Sequence, residues 1–207
     1  MVILSQLFGS ELRVRMMRLF LFNPDKAFDM AYIQGKAAAK PRELEGELAF
    51  LKKLGLLKEA KVSKQVVVRK GKKELRKKVR ESVYSLDQKF KYRDALSEFL
   101  VKTHSLENRA VVKKLEKAGK IKAVLLAGIF TGQPESRLDL FVVGDNVNAS
   151  SMDRIVRSIE SDMGKDIRYA VLSAPDFAYR LSMNDKLVRD VIDYPHRVLV
   201  DKIGIAK

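Results

Sequence analysis

Apolar positions near the start of the chain recur at helical spacing. Leu12, Met16, Leu19 and Phe20 fall at i, i+4, i+7 and i+8, which makes one apolar face. A helix is therefore predicted from a Ser10 cap to about Phe22. Asn23-Pro24 ends it, because proline disfavours helical geometry in the residue before it. Phe28, Met30, Ile33 and the alanines at 37–39 predict a short second helix near 29–36. Lys40-Pro41 opens a third, over about 41–54, with Leu44, Leu48 and Leu51 on one face and Gly55 at its C-terminal stop. The pattern then changes. Leu56-Leu57 leads into Val62, Val66 and Val68, a turn is signalled at Lys70-Gly71-Lys72-Lys73, and Val79–Leu86 returns as a second strand. A helix is expected over Phe90–Thr103 and another over about 107–118, ending at Gly119.

Beyond Gly119 the apolar runs become continuous, as in buried strands. Strands are predicted at 121–127 and 138–143, a helix at 152–163, a strand at 167–172, helices after Ser173 and over 186–192, and a last strand at 198–200. The order α-β-β-α-β-α-α-β implies an α/β domain on a small sheet. The expected fold class is α+β, with three helices and a basic hairpin followed by a small α/β domain. The expected boundaries are 1–92, a linking pair of helices at 93–118, and 119–207.

Three short helices followed by a hairpin is the plan of a winged helix-turn-helix, in which the third helix enters the major groove and the hairpin is the wing. The valines of the wing are expected to pack against the helices. The apolar stripe of the helix after the wing suits an intradomain core, a linker or a homodimer contact.

Charge sharpens this picture. Residues 1–93 carry 23 Lys+Arg against 10 Asp+Glu, whereas 94–207 carry 18 against 16. Segment 58–80 alone holds 11 Lys+Arg and two acids, Glu59 and Glu74. So dense a patch repels itself in a compact chain, and a polyanion relieves the repulsion. The candidate nucleic-acid contacts are Lys36, Lys40 and Arg42 at the helix end. On the wing they are Lys64, Arg69, Lys70, Lys72, Lys73, Arg76, Lys77, Lys78 and Arg80. Glu43, Glu45 and Glu47 on the third helix weaken base reading, so phosphate contact is the better-supported expectation.

Composition excludes several classes. The apolar content of 46% does not fit a disordered chain. There is no cysteine, so disulfides and thiolate metal sites are excluded. Two histidines are too few for a His-based zinc centre. Charges at Glu11, Arg13, Arg15 and Arg18 interrupt the apolar N-terminus, so neither a signal peptide nor a membrane span is expected. A cytoplasmic protein without cofactor or membrane partner is the expectation.

The segments LFGSELRVRMMRLFLFNPDKAF, AGIFTG followed by RLDLFVVGD, RYAVLSAPDF and YPHRVLVDKIG together resemble a prokaryotic family. Its members join a DNA-binding winged helix to a minimal nucleotidyltransferase domain. The resemblance covers nearly the whole chain. It implies a Gly-Ser pair holding phosphates, an Asp-x-Asp motif holding two magnesium ions and a third carboxylate on a later strand. This chain departs from each. Thr131 stands where the Ser would be, within Gly128-Ile129-Phe130-Thr131-Gly132, and the next loop, Gln133–Ser136, is short. Arg137 replaces the first Asp and leaves only Asp139. The strand 168–172 has no carboxylate, and Asp166 lies at its edge. One carboxylate holds a divalent ion poorly, and Arg137 would repel it. Gly128, Thr131, Gly132, Arg137 and Asp139 are thus a vestigial nucleotide site, with no catalytic residue and no metal expected. Asp139 has a plainer reading, at the exposed rim of the sheet or paired with Arg137 or Arg168. The expected function is duplex DNA binding in transcription regulation, with the second domain a sensor or dimerisation module. An active nucleotidyltransferase modifying protein or RNA, and an RNA-binding protein, are the alternatives.

Overall fold

The computed structural model describes residues 2–70, 73–102 and 108–205, with the side chains of 2, 66–70, 73–77, 101–102 and 108–110 outside that description. The chain is a mixed α+β protein with two sheets, and it divides into two compact units. The first comprises residues 1–103 and 161–165. The second comprises 104–160 and 166–207. The segment 93–118, expected as linking helices, is divided between them.

In the first unit, α1 (Val2–Phe8) precedes α2 (Glu11–Phe22). Ser10 caps α2 by accepting from the Arg13 amide at 3.2 Å. The short strand β1 (Ala27–Asp29) delivers Asp29 as the cap of α3 (Met30–Ala37), where its carboxylate accepts from the Tyr32 amide at 2.7 Å. Pro41 opens α4 (Pro41–Lys53), and Leu44, Leu48 and Leu51 are its buried stripe. Gly55 follows at φ +81°, a left-handed stop that only glycine takes without strain. Next come β2 (Leu57–Lys70) and β3 (Lys73–Leu86), then α5 (Arg93–Ser97) and a π-helical turn at Glu98–Lys102. The sheet order is β1-β3-β2, antiparallel throughout. The expected turn at Gly71-Lys72 lies outside the described residues.

Two elements were not legible from periodicity. Helix α1 leaves Ile3 and Leu7 exposed, so it has no clean amphipathic face. Strand β1 has three residues and exists through its pairing with β3, some 55 residues later in the chain (Phe28 opposite Tyr84). The expected helix over Phe90–Thr103 starts at Arg93 and gives way to the wider turn at Glu98.

The core joins Val14, Met17 and Phe20 of α2 to Ile33, Leu44, Leu48 and Leu51, and to Leu57, Tyr84 and Leu86 of the sheet. Arg18 is 1% exposed within it. Its guanidinium donates to the Leu100 carbonyl at 3.0 Å and to the Asp162 carbonyl at 2.9 Å. Burial pushes its pKa down, and the nearby Asp162 charge opposes that shift.

In the second unit, α6 (Asn108–Leu115) leads to β4 (Lys120–Leu126) and a 3-10 turn at Gly128–Thr131. Then follow β5 (Leu140–Asp145), α7 (Ala149–Met163), β6 (Tyr169–Leu172), α8 (Ala174–Ser182), α9 (Lys186–Ile192) and β7 (Arg197–Asp201). The last residues of α7 fall in the first unit. The sheet order is β6-β5-β4-β7, with β5 and β6 parallel and the other pairs antiparallel. Strands β4 and β5 are buried on both faces, as their continuous apolar runs require. Among the described residues, no helix is long and apolar enough to cross a membrane.

Two substitutions test this core in opposite directions. Arg18→Ala strands two buried carbonyls and should lower stability by about 3 kcal/mol. Ser161 is buried with no hydrogen-bond partner for its hydroxyl, so Ser161→Ala should be neutral or stabilising by up to about 1 kcal/mol. Urea unfolding of each variant checks both signs.

Candidate functional site

Helix α4 presents two chemically different sides. Its leucines face the core, and Arg42, Gly46, Ala49 and Lys53 recur along the exposed side at i, i+4, i+7 and i+11. A side chain at Gly46 would meet open space. The middle of this side is therefore low, with cations at both ends. Lys40 and Arg42 are exposed at the N-terminal end, whereas Lys36 is half-buried and engaged with a partner. Glu47, expected to repel phosphates, is neutralised from within. It accepts from Arg13 Nε at 2.8 Å and Nη2 at 3.3 Å, and the same guanidinium lies 3.8 Å from the Phe50 ring centre. Glu43 and Glu45 remain exposed.

The hairpin is a ladder of fourteen residue pairs, from Leu57 opposite Leu86 to Lys70 opposite Lys73, with no shift of register. At about 3.4 Å per residue it is roughly 44 Å long. Among its described residues, only the base is in the core. Leu57, Tyr84 and Leu86 are buried, while every residue from Lys58 to Gln65 is exposed. The expectation that the valines pack against the helices is wrong for Val62, 42% exposed, and Val79, 41% exposed, whereas Val83 nearer the base is half-buried. Side chains alternate along a strand, and the core face is already taken by Leu57 and Tyr84, so these valines fall on the other face.

Of the wing candidates, Lys78 and Arg80 are exposed. Lys64 lies 3.7 Å from carboxylate oxygens of both Asp29 and Glu81. Lys72 lies outside the described residues, as do the side chains of Arg69, Lys70, Lys73, Arg76 and Lys77. Two ion pairs brace the base of the hairpin: Lys58 with Asp87 at 2.8 Å, and Lys52 of α4 with Glu59 of β2. Hydrogen bonds from Lys58 and Lys52 respectively hold Asp87 and Glu59 below the usual carboxylate range. Both pairs therefore persist at neutral pH and are lost as pH falls through those lowered values.

The residues expected as a nucleotide site in the second unit surround Asp139, which is 1% exposed and so not on an exposed rim. Its partner is Arg168. Asp139 Oδ1 accepts from the Ile129 amide at 2.9 Å and Arg168 Nη2 at 3.0 Å. Its Oδ2 accepts from the Arg168 amide at 2.9 Å and Nε at 3.0 Å. This hydrogen bonding raises the Arg168 pKa. Four donors thus occupy the carboxylate. Arg137 points elsewhere, to Asp190 at 3.0 Å, on the wall of an open cleft of about 310 Å³ lined also by Ser136, Lys186 and Tyr194.

The glycine loop is equally committed. The Ile129 amide is on Asp139, the Phe130 amide donates to Ala127, and those of Gly132 and Gln133 both donate to the Gly128 carbonyl. Thr131 Oγ1 donates to that same carbonyl at 3.2 Å. These four amides are engaged by the chain itself and are not free to cradle a phosphate. Gly128 sits at φ +51°, and a Cβ there would fall onto Asp139 Oδ1. Among the described residues, no three His, Asp or Glu side chains gather in a metal-binding group.

Sequence reasoning passed over Lys61, which lies between Glu59 and Ser63 on the wing, and the Lys52–Glu59 bridge. It named Arg168 only as one of two partners for Asp139. The isolation of Asp139 between apolar neighbours was the available signal for a buried carboxylate needing a cation. Comparison with known proteins found no matching family model, curated protein or solved structure.

Asp139→Ala should destabilise the chain by roughly 3 kcal/mol, because it leaves amides and a guanidinium without their acceptor. Gly128→Ala should be comparably harmful, whereas Gly132→Ala meets no clash and suffers only its φ of +76°. Thermal unfolding of the three variants ranks them.

Proposed function

We propose that this chain is a winged-helix DNA-binding protein carrying a nucleotidyltransferase-like module without transferase activity. The observation that carries the reading is in the first unit. The order α2-β1-α3-α4-β2-β3, with the sheet paired β1-β3-β2, is that of a winged helix-turn-helix, and α4 is its recognition helix. The exposed side of α4 is low in the middle and cationic at its ends, which suits close approach to a groove. The long hairpin beside it belongs to the half of the chain that holds nearly all the excess positive charge.

The sheet of the second unit supports the resemblance to nucleotidyltransferases. Its antiparallel β4–β5 hairpin is followed by β6, parallel to β5, with Asp139 just before β5. The argument against chemistry is the state of that carboxylate. Its lone pairs are spent on Arg168 and two amides, so the cation an active enzyme would recruit is replaced by a guanidinium of the chain itself. The second unit then serves as a sensor or association module for the DNA-binding unit. Transcription regulation is the role that fits such an arrangement.

The test is binding of the full chain to a 25-base-pair duplex across salt. Affinity should fall roughly 10³-fold or more between 50 and 200 mM salt, as displaced counterions return. A dissociation constant weaker than about 10⁻⁴ M at 50 mM contradicts the reading, since ordinary non-specific binders do better. Duplex RNA competing better than duplex DNA would move the assignment to RNA. Incubation with each labelled nucleoside triphosphate and magnesium should leave protein and RNA unlabelled, and any transfer overturns the inactive assignment.

A further inference from the structure

Over its described side chains, residues 57–65 and 78–86, the two faces of the wing differ in charge, and the register says which is which. Directly opposed residues of an antiparallel pair share a face, and alternate residues change face. Leu57 with Leu86 and Glu59 with Tyr84 lie on the face that enters the core. Carried outward, that same face bears Lys61 opposite Ser82, Ser63 opposite Arg80, and Gln65 opposite Lys78. The one acid on it among these residues, Glu59, is held by Lys52 and by the Ser82 hydroxyl. Three cations and a row of hydrogen-bonding side chains remain. The opposite face bears Lys58, Val62, Lys64, Val79 and Glu81. Its lysines are matched by Asp87, Asp29 and Glu81, and its valines offer phosphates nothing.

The polar face is also the face toward α4. Leu44, Leu48 and Leu51 of that helix share the core with Leu57 and Tyr84, and Lys52 of α4 reaches across to Glu59. The exposed cations of α4 and those of the wing thus belong to one side of the sheet.

We propose that this part of the wing meets the phosphate backbone of a duplex through one face only, that of Lys61, Lys78 and Arg80, on the same side of the sheet as α4, while the face of Val62 and Val79 stays off the nucleic acid. This rests on the DNA-binding reading above and adds to it the contacting surface. Lys61 becomes a phosphate contact, and Lys64 is a structural cation tied to Asp29 and Glu81.

Full-length variants distinguish the faces by salt slope. Each lost phosphate contact reduces the slope of log affinity against log salt by about 0.9. Lys61→Ala/Lys78→Ala/Arg80→Ala should flatten it by about 2–3 and weaken binding on the order of 10²-fold at 100 mM. Two added-charge variants avoid any loss of structure. Ser63→Lys/Gln65→Lys should steepen the slope by about 2. Val62→Lys/Val79→Lys, with the same added charge on the other face, should leave it unchanged. Equal effects of the two added-charge variants, or an unchanged slope in the triple alanine variant, overturn the one-face proposal while duplex binding by the parent stands. A parent that binds no duplex overturns both it and the DNA-binding reading.

Discussion

Leu57 stands opposite Leu86, and from that pairing outward the register assigns each described hairpin side chain to one face or the other. The period of a strand is two, so a slip of one residue would exchange the faces completely. The core would then receive Lys58 in place of Leu57, and solvent would receive the leucine. Burial of Leu57, Tyr84 and Leu86 against α4 makes that slip costly, at about 25 cal/mol per Å² of apolar surface returned to water. The same constraint that closes the core therefore orients the charges far beyond it. A hairpin roughly 44 Å long is aimed by the few pairs at its base.

The second unit depends on an interaction of another kind. Asp139 is a buried carboxylate between two apolar residues, and such a group is stable only when paired and hydrogen-bonded. Arg168 and two backbone amides supply what it needs. They also join three parts of the fold, because the amides come from the turn after β4 and from the residue before β6. Asp139 is thereby a structural tie. Gly128 is kept at a positive φ beside it because no side chain fits there.

Much of this was legible in the sequence, for definite reasons. Helices α2 and α4 carry their own start and stop signals: Ser10, Asn23-Pro24, Pro41 and Gly55. The apolar runs of β4 and β5 announce strands buried on both faces. What escaped depended on distant partners. Strand β1 exists through β3, and Arg168 was one of two equal candidates for Asp139 until the sheet placed its backbone beside the carboxylate. The orientation of the wing valines was misread because alternation gives two faces without saying which is the core. Leu57 and Tyr84 settle that, and their role appears only once α4 is packed on the sheet. Glu47 was counted as a repulsive charge because its partner, Arg13, lies 34 residues away.

The central claim is that the first unit, through α4 and one face of its wing, carries the nucleic-acid contact. Lysine footprinting tests it most directly: the full chain is modified with an amine-reactive reagent with and without a 25-base-pair duplex, and each lysine is read by mass spectrometry. The account predicts protection of Lys40, Lys61 and Lys78 on adding duplex, with Lys120 and Lys186 of the second unit unchanged. Protection confined to the second unit, with Lys61 and Lys78 as reactive as before, would contradict it.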